Sequence, residues 1–207
     1  MRWQDGRSGG GIEDRRGMGP AGVGGLGVGG VVLALIGYFV FGVDPSTTLS
    51  VVGGAPAAQQ QQEGARGTPE DEAGRFVDVV STNVDDVWKA VFRQSGQTYR
   101  PPAAVVLYDQ ATGTGCGTGQ AAMGPFYCPN DQTVYLDLSF WQEMQTKLGA
   151  SSADFAKAYV IAHEFGHHVQ TLTGASQKVQ QAQRSLGQAE GNRYSVALEL
   201  QADAAGA

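Results

Sequence analysis

The chain has 207 residues, which is enough for one domain of ordinary size with an appendage. It contains 14 Lys and Arg residues against 20 Asp and Glu residues, so its formal net charge is -6. This acidic balance excludes the basic surface that nucleic-acid-binding domains use, and we expect no nucleic-acid partner. Many of the 31 glycines precede residue 55, so the appendage is predicted at the N-terminal end.

Residues 1–16 are predicted to form a disordered tail, because they are Gly-rich and show no apolar period. The next run, 17–43, contains no charged residue and is long enough to cross a bilayer as one transmembrane helix. Arginines flank only its N-terminal side, so the positive-inside rule places the tail in the cytoplasm and the rest outside. The sequence therefore predicts a single-pass protein of the cell membrane with an extracytoplasmic domain.

A cleaved signal peptide is the alternative for the N-terminal region, since Ala55-Pro56-Ala57 has the form of a cleavage site. It lies about a dozen residues beyond the apolar run, too far for ordinary cleavage, so the sequence favours an uncleaved anchor. Residues 44–67 are rich in Gly and Gln and are predicted to be a flexible linker. The main domain is then expected to occupy residues 68–207.

The domain is predicted to begin with a helix that Thr68 caps and that ends at Gly96, with apolar residues along one face. Two buried strands are predicted at 103–108 and 133–137. The strand around Tyr135 is the strand nearest in sequence to a helix predicted over 158–174. We expect this strand to form the edge of a substrate cleft. These elements predict the α+β class, with a small sheet packed on helices.

Between the two strands lies a Gly-punctuated loop, 109–132, that contains both cysteines of the chain. Cys116 and Cys128 are compatible either with a disulfide or with two buried thiols, and their spacing alone does not decide. A loop of this length needs to be tied down or has a function of its own. In an extracytoplasmic domain a disulfide does the former, so we predict a Cys116–Cys128 bond.

A predicted apolar helix over 158–174 contains the sequence His163-Glu164-Phe165-Gly166-His167, which is the H-E-x-x-H pattern. In a helix, residues four apart lie on one face, so His163 and His167 can bind one Zn²⁺ ion through neutral imidazole nitrogens. Glu164 is placed to reach a water on the ion without binding the ion itself. His168 points away from His163, so we do not expect it to be a ligand.

A catalytic zinc ion usually has a third protein ligand, which here must be a carboxylate or a cysteine because no other histidine exists. Glu199 is the best placed, on a later predicted helix where it shares a face with Asp203. Asp203 would then hold a zinc-binding histidine by its other ring nitrogen. Tyr194 is a candidate for stabilising the oxyanion. The alternative for the first helix is a metal-free helix whose two histidines make hydrogen bonds within the protein. The alternative for Glu199 and Asp203 is a solvated face of carboxylates.

Six segments along nearly the whole chain carry a resemblance to a known family. They are Asp14-Arg15-Arg16-Gly17, Gly115-Cys116-Gly117, Gly124-Pro125-Phe126-Tyr127-Cys128-Pro129, Val134-Tyr135-Leu136-Asp137, His163 to Gln170 and Glu199-Leu200-Gln201-Ala202-Asp203. With these segments the sequence resembles the neutral zinc metallopeptidases, membrane-anchored bacterial proteins of the gluzincin type. The resemblance implies a zincin-like endopeptidase fold, with His163, His167 and Glu199 as zinc ligands and Glu164 as the catalytic base.

Proteins of this family continue beyond the segment ending at Asp203, often with a cysteine after the aspartate. Here Ala204 follows, and we expect the domain to be truncated at Ala207. The expected function is zinc-dependent hydrolysis of peptide or protein substrates outside the cytoplasm, with Glu164 taking the proton of a zinc-activated water. The alternative is a non-catalytic envelope protein that binds a partner or acts as a scaffold, with a structural zinc or none.

Overall fold

A computed structural model of the protein describes residues 2–18, 63–141, 146 and 154–206. The strands and helices in this part of the chain are β1 Ile12–Asp14, β2 Ala65–Gly67, α1 Glu72–Gln94, β3 Ala104–Tyr108, β4 Ala111–Thr114, β5 Gly117–Gln120, β6 Phe126–Cys128, β7 Thr133–Asp137, α2 Asp154–Leu172, α3 Ala175–Ser185 and α4 Gln188–Gly206. The mixture confirms the predicted α+β class.

Five strands form a mixed sheet in the order β2-β1-β3-β7-β6, and β4 pairs with β5 in a separate hairpin. The three inner strands are parallel, while β2 and β6 run antiparallel to their neighbours at the two edges. Because side chains alternate along a strand, Leu107 and Leu136 face the helices and pack with Phe165 of α2. Tyr108 and Tyr135 lie on the opposite face. The sheet thus provides a rigid base for α2.

Helix α1 packs Phe76 and other apolar residues of one face into the core, as its apolar period predicts. Its start differs from the prediction. Asp71 is the N-cap, and its carboxylate accepts a hydrogen bond from the backbone N–H of Gly74 at 3.0 Å. The hydroxyl of Thr68 donates instead to the buried carboxylate of Asp78. The carboxylate of Asp71 is a better acceptor than the hydroxyl of Thr68 for the unpaired N–H groups of the first helical turn.

The prediction of a disordered tail over residues 1–16 is wrong for the residues that the structure describes. β1 pairs with β2 and β3, and Trp3 and Ile12 are almost completely buried. The glycines of this segment permit close packing: a Cβ atom on Gly6 would lie 2.3 Å from Cγ1 of Val79. Between residues 2 and 17 only Trp3 and Ile12 are large and apolar, so the segment shows no period, and backbone pairing supplies the order that the pattern lacks.

The predicted linker 44–67 ends differently as well, since Ala65–Gly67 form β2 at the edge of the sheet. The rest of the linker, and the predicted anchor 17–43 from residue 19 onward, lie outside the described residues. None of the helices that the structure describes is long and apolar enough to span a bilayer.

Candidate metal centre

Helices α2 and α4 cross at a point where both backbones approach closely. A Cβ atom on Gly166 would lie 2.8 Å from the carbonyl oxygen of Ala202, and one on Gly206 would lie 2.9 Å from the backbone nitrogen of His163. Real Cβ contacts are not that short, so these two positions need glycine for space. The close crossing brings the side chains of α4 within reach of the histidines on α2.

Three predicted ligand side chains meet at this crossing. Nε2 of His163 is 3.1 Å from Nε2 of His167, and each lies 3.4 Å from Oε2 of Glu199. In a tetrahedral zinc site with bonds of about 2.0–2.1 Å, neighbouring ligand atoms are about 3.3 Å apart. The triangle therefore has the size that a zinc ion requires, and a carboxylate with two imidazoles is a donor set that zinc accepts.

The outer ring nitrogens of the two histidines are also held. Nδ1 of His163 lies 2.9 Å from Oδ1 of Asp203, as expected for that residue, and Asp203 also accepts a hydrogen bond from the hydroxyl of Tyr159. The hydrogen bond from Tyr159 and, to a smaller extent, the contact with His163 hold the pKa of Asp203 below its usual range. Nδ1 of His167 lies 3.0 Å from Oε1 of Gln170, a residue that sequence reasoning missed. Its position three residues after His167 was the available signal.

Glu164 is the predicted base, and it is 6% exposed. Burial, reinforced by the negative charge of Glu199, raises its pKa to about 8, although the backbone N–H of Tyr127 donates to its carboxylate and opposes the shift. Both Glu164 and the three ligand side chains line the same cleft of about 520 Å³. The structure thus places a carboxyl group with high proton affinity beside the candidate metal centre.

The cleft is bordered by β6, which is one of the two edge strands of the described sheet. The prediction that the strand around Tyr135 forms this border is wrong, because β7 lies between β3 and β6 and Tyr135 is fully buried. A three-residue strand such as β6 is too short to show an alternating pattern in the sequence. The loop that contains it therefore concealed the element nearest to the site.

Cys128 at the end of β6 is bonded to Cys116, with a Cα–Cα distance of 5.8 Å. The structure therefore contains the predicted disulfide rather than two buried thiols. The bond ties the edge strand to the turn between β4 and β5, which follows the prediction that the long loop is tied down.

Two other predicted roles can be compared with the geometry. His168 is fully buried on the other side of α2, where Nε2 contacts the carbonyl oxygen of Arg100 at 2.7 Å and Nδ1 contacts the hydroxyl of Tyr127 at 3.1 Å. It lies outside the candidate metal centre, as expected. Tyr194 is 42% exposed and lines a separate surface hollow with Glu190, so the structure does not bring it to the cleft. Five residues before Glu199, it lies about 140° away around the helix.

A comparison with family models agrees with this arrangement. The model described as "Putative neutral zinc metallopeptidase" matches residues 1–207. The chain belongs to this family. The family description fits the set of two histidines and one glutamate at the crossing of α2 and α4. The matched range also includes the N-terminal residues that form β1.

Relatives in the family include "Uncharacterized protein YpfJ" of Escherichia coli K12, which is 47% identical over 215 residues, covering 98% of this chain and 72% of the relative. "Uncharacterized protein Rv2575" of Mycobacterium tuberculosis H37Rv is 45% identical over 137 residues, covering 64% of this chain and 43% of the relative. No solved structure matches the chain.

Proposed function

We propose that this protein is a zinc-dependent peptidase that cleaves peptide bonds outside the cytoplasm. The observation that carries the proposal is the triangle formed by His163, His167 and Glu199, with edges of 3.1 and 3.4 Å, beside the buried carboxyl group of Glu164. All four side chains open into one cleft.

The two imidazoles and the Glu199 carboxylate would hold the ion, and Glu164 would act as the general base. When bound, zinc supplies Lewis-acid polarisation of a carbonyl and acidifies a water molecule. Glu164 accepts a proton from the attacking water and returns it to the leaving amine. Burial raises the pKa of the Glu164 carboxyl group in the metal-free protein, which favours uptake of a proton by this side chain.

An extended peptide is the substrate class that suits the cleft. β6 borders it as an edge strand, and an extended chain binds such an edge through backbone hydrogen bonds. The side chains of Phe126 and Tyr127 also line the cleft and offer apolar contacts to the residues of a bound peptide. Backbone pairing would orient the peptide, and these side chains would set its preference.

The Cys116–Cys128 disulfide supports a location outside the cytoplasm, since such bonds persist mainly in oxidising compartments. The uncharged run 17–43 supports attachment to the membrane.

The experiment that tests this function replaces Glu164 with glutamine, which keeps the side-chain volume and removes the base. We expect the purified chain to contain about one zinc ion and to hydrolyse casein or a quenched fluorescent peptide. Glu164→Gln should retain zinc while turnover falls by about 10²- to 10⁴-fold. Glu190→Gln is the matched control, because Glu190 is an exposed glutamate of α4 that does not line the cleft.

A non-catalytic envelope protein gives a different result. In that case the unmodified chain shows no hydrolysis above that of Glu164→Gln, whether or not it contains zinc. Equal turnover in the unmodified protein and in Glu164→Gln would also remove Glu164 from the proposed mechanism.

A further inference from the structure

We infer that Gln170 is a positioning residue for the candidate metal centre. It holds His167 directly and holds the helix that carries Glu199 through that helix's backbone. The inference rests on the proposed zinc site and adds to it a residue that links two ligands on different helices. Gln170 itself is 2% exposed, so its amide can satisfy its hydrogen bonds only with the protein groups around it.

One end of the amide faces α4. Nε2 of Gln170 donates to the backbone carbonyl of Leu198 at 2.6 Å and to Oε1 of Gln201 at 3.2 Å. A carbonyl oxygen only accepts, so this end of the side chain must be the NH₂ group. The neighbour of Leu198 in the chain is Glu199, and the bond therefore fixes the backbone next to the proposed carboxylate ligand.

The orientation of the amide then determines the other end. With NH₂ facing Leu198, the atom 3.0 Å from Nδ1 of His167 is Oε1, which only accepts. Nδ1 of His167 must then carry the proton, and the lone pair of the neutral ring is on Nε2. Nε2 is the nitrogen that lies 3.4 Å from Glu199, so the amide selects the tautomer that can bind a metal.

A helix-to-helix bond with no bearing on the metal centre is the competing explanation, and the chain contains a matched case. Gln183 of α3 donates through Nε2 to Ser195 at 2.7 Å and to the carbonyl oxygen of Gly191 at 3.3 Å, so it too joins a helix to α4. Gln183 lines the same cleft as the proposed ligands, but the described part of the chain shows no contact between Gln183 and a histidine. Gln183→Leu is therefore the control for Gln170→Leu.

The test measures zinc affinity by competition with a chromophoric chelator and, after substitution with Co²⁺, the visible absorption spectrum, which reports coordination geometry. We expect Gln170→Leu to weaken zinc binding by about 10- to 100-fold and to change the Co²⁺ spectrum. Gln183→Leu should leave both unchanged. If Gln170 is only a packing residue, both variants lose stability in the metal-free protein and both retain the affinity and spectrum of the unmodified chain.

Gln170→Glu serves as the conservative variant, and it keeps the inference testable if Gln170→Leu fails to fold. A carboxylate still accepts from Nδ1 of His167, but it cannot donate to the carbonyl oxygen of Leu198 as the NH₂ group of Gln170 does. We expect this variant to keep the tautomer of His167 and therefore a Co²⁺ spectrum close to that of the unmodified protein, while loss of the bond to Leu198 weakens zinc binding. A spectrum altered as much as that of a variant lacking the His167 contact would overturn the inference.

The outcome for Gln170 is separable from the outcome for peptidase activity. A chain that binds zinc, depends on Gln170 for affinity and hydrolyses no peptide would support the positioning role and refute the proposed function. A chain that binds no zinc refutes both. Zinc binding that does not respond to Gln170→Leu refutes the positioning role alone.

Discussion

The two histidines of the candidate metal centre are held by different kinds of side chain. Asp203 is a carboxylate on a partly exposed position, with 42% of its side chain accessible, whereas Gln170 is a neutral amide that is 2% exposed. Solvent screens the first contact and can replace it in part when it is lost. A buried partner left without its hydrogen bond has no such replacement. The consequences of removing ligands and supports at this site should therefore differ in size.

The ranking of Glu199 and Asp203 tests the assignment of the third ligand. Glu199→Ala removes a proposed ligand, so we expect it to abolish most zinc binding. Asp203→Ala leaves all three proposed ligands in place and should weaken affinity or activity by only about 10- to 100-fold. Zinc content after dialysis and affinity by chelator competition measure both effects. Glu190→Ala, on the same helix, should change neither, and loss of zinc in that variant with retention in Glu199→Ala would contradict the assignment.

Among individual residues, the sequence predicted those whose relative positions depend on spacing within one helix. His163, Glu164 and His167 are fixed by the 3.6-residue period, and so is the relation of Glu199 to Asp203. The spacing of Gln170 from His167 was visible in the sequence, but its bond to the backbone of α4 is a tertiary contact that no local spacing shows. Tyr194 was misplaced because a short separation from Glu199 in sequence does not put it on the same helix face.

The close contact between helices α2 and α4 depends on Gly166. A methyl group at this position would lie 2.8 Å from the carbonyl oxygen of Ala202 and 3.0 Å from its Cα, and both atoms belong to backbone that cannot turn aside. We expect Gly166→Ala to push α4 away from α2. The variant should weaken zinc binding and lower the free energy of unfolding by about 1–3 kcal/mol, as overpacking does.

Gly191→Ala is the matched control, since Gly191 is also a buried helical glycine. A Cβ atom there would meet only the Cγ atom of Gln183 at 3.6 Å, an ordinary contact. We expect this variant to be as stable as the unmodified chain or up to about 1 kcal/mol more stable, because alanine favours the helix. Urea unfolding of the metal-free proteins makes the comparison. Equal stability and zinc affinity in the two variants would show that the close crossing is not required.

The predicted helices and strands match the structure where they are long enough to show an apolar period. Helix α1, helix α2 and strands β3 and β7 contain enough apolar residues to show a period, and each lies close to its predicted position. The strands β1, β2 and β6 have three residues each and were not predicted. Their order comes from hydrogen bonds to strands distant in the chain, which is a tertiary effect that local pattern does not record.

Across the whole molecule, charged side chains join the N-terminal segment to the helical part. Arg16 contacts the carboxylates of Asp14 and of Asp71, the N-cap of α1, while Arg15 and Glu13 form a buried pair at 2.7 Å. The Arg16 guanidinium lowers the pKa of Asp71 to about 2 and also holds the pKa of Asp14 below its usual range. A carboxyl group with a lowered pKa stabilises the fold above its unfolded pKa of about 3.9 and stops doing so as the pH falls.

Arg16→Ala should therefore lower the urea midpoint of unfolding near neutral pH, and the difference from the unmodified chain should shrink between about pH 4 and pH 2. The cause is the loss of an ion pair whose benefit exists only while the two carboxylates are ionised in the native state. Arg2→Ala is the control, because Arg2 contacts Asp5 at 3.4 Å with both side chains highly exposed. A difference between Arg16→Ala and the unmodified chain that persists unchanged at pH 2 would contradict this explanation.

The position of β1 also bears on membrane topology. β1 is hydrogen-bonded between β2 and β3, and paired strands lie about 4.8 Å apart, whereas the hydrocarbon core of a bilayer is about 30 Å thick. We therefore expect the N-terminal segment and the domain that contains the candidate metal centre to lie on the same side of any membrane. This differs from the expectation based on the positive-inside rule, which placed residues 1–16 and the domain on opposite sides.

Single-cysteine reporters distinguish the two arrangements. Ser8 and Gln97 are exposed, one before β1 and one after α1. We expect Ser8→Cys and Gln97→Cys to react alike with a membrane-impermeant maleimide in intact spheroplasts, and alike again after permeabilisation. Because the native cysteines are bonded to each other, they should not contribute to labelling. Labelling of Gln97→Cys with protection of Ser8→Cys would mean that β1 is not in the sheet in the membrane-bound protein, and that the segment before residue 19 crosses to the other side as the arginine distribution predicts.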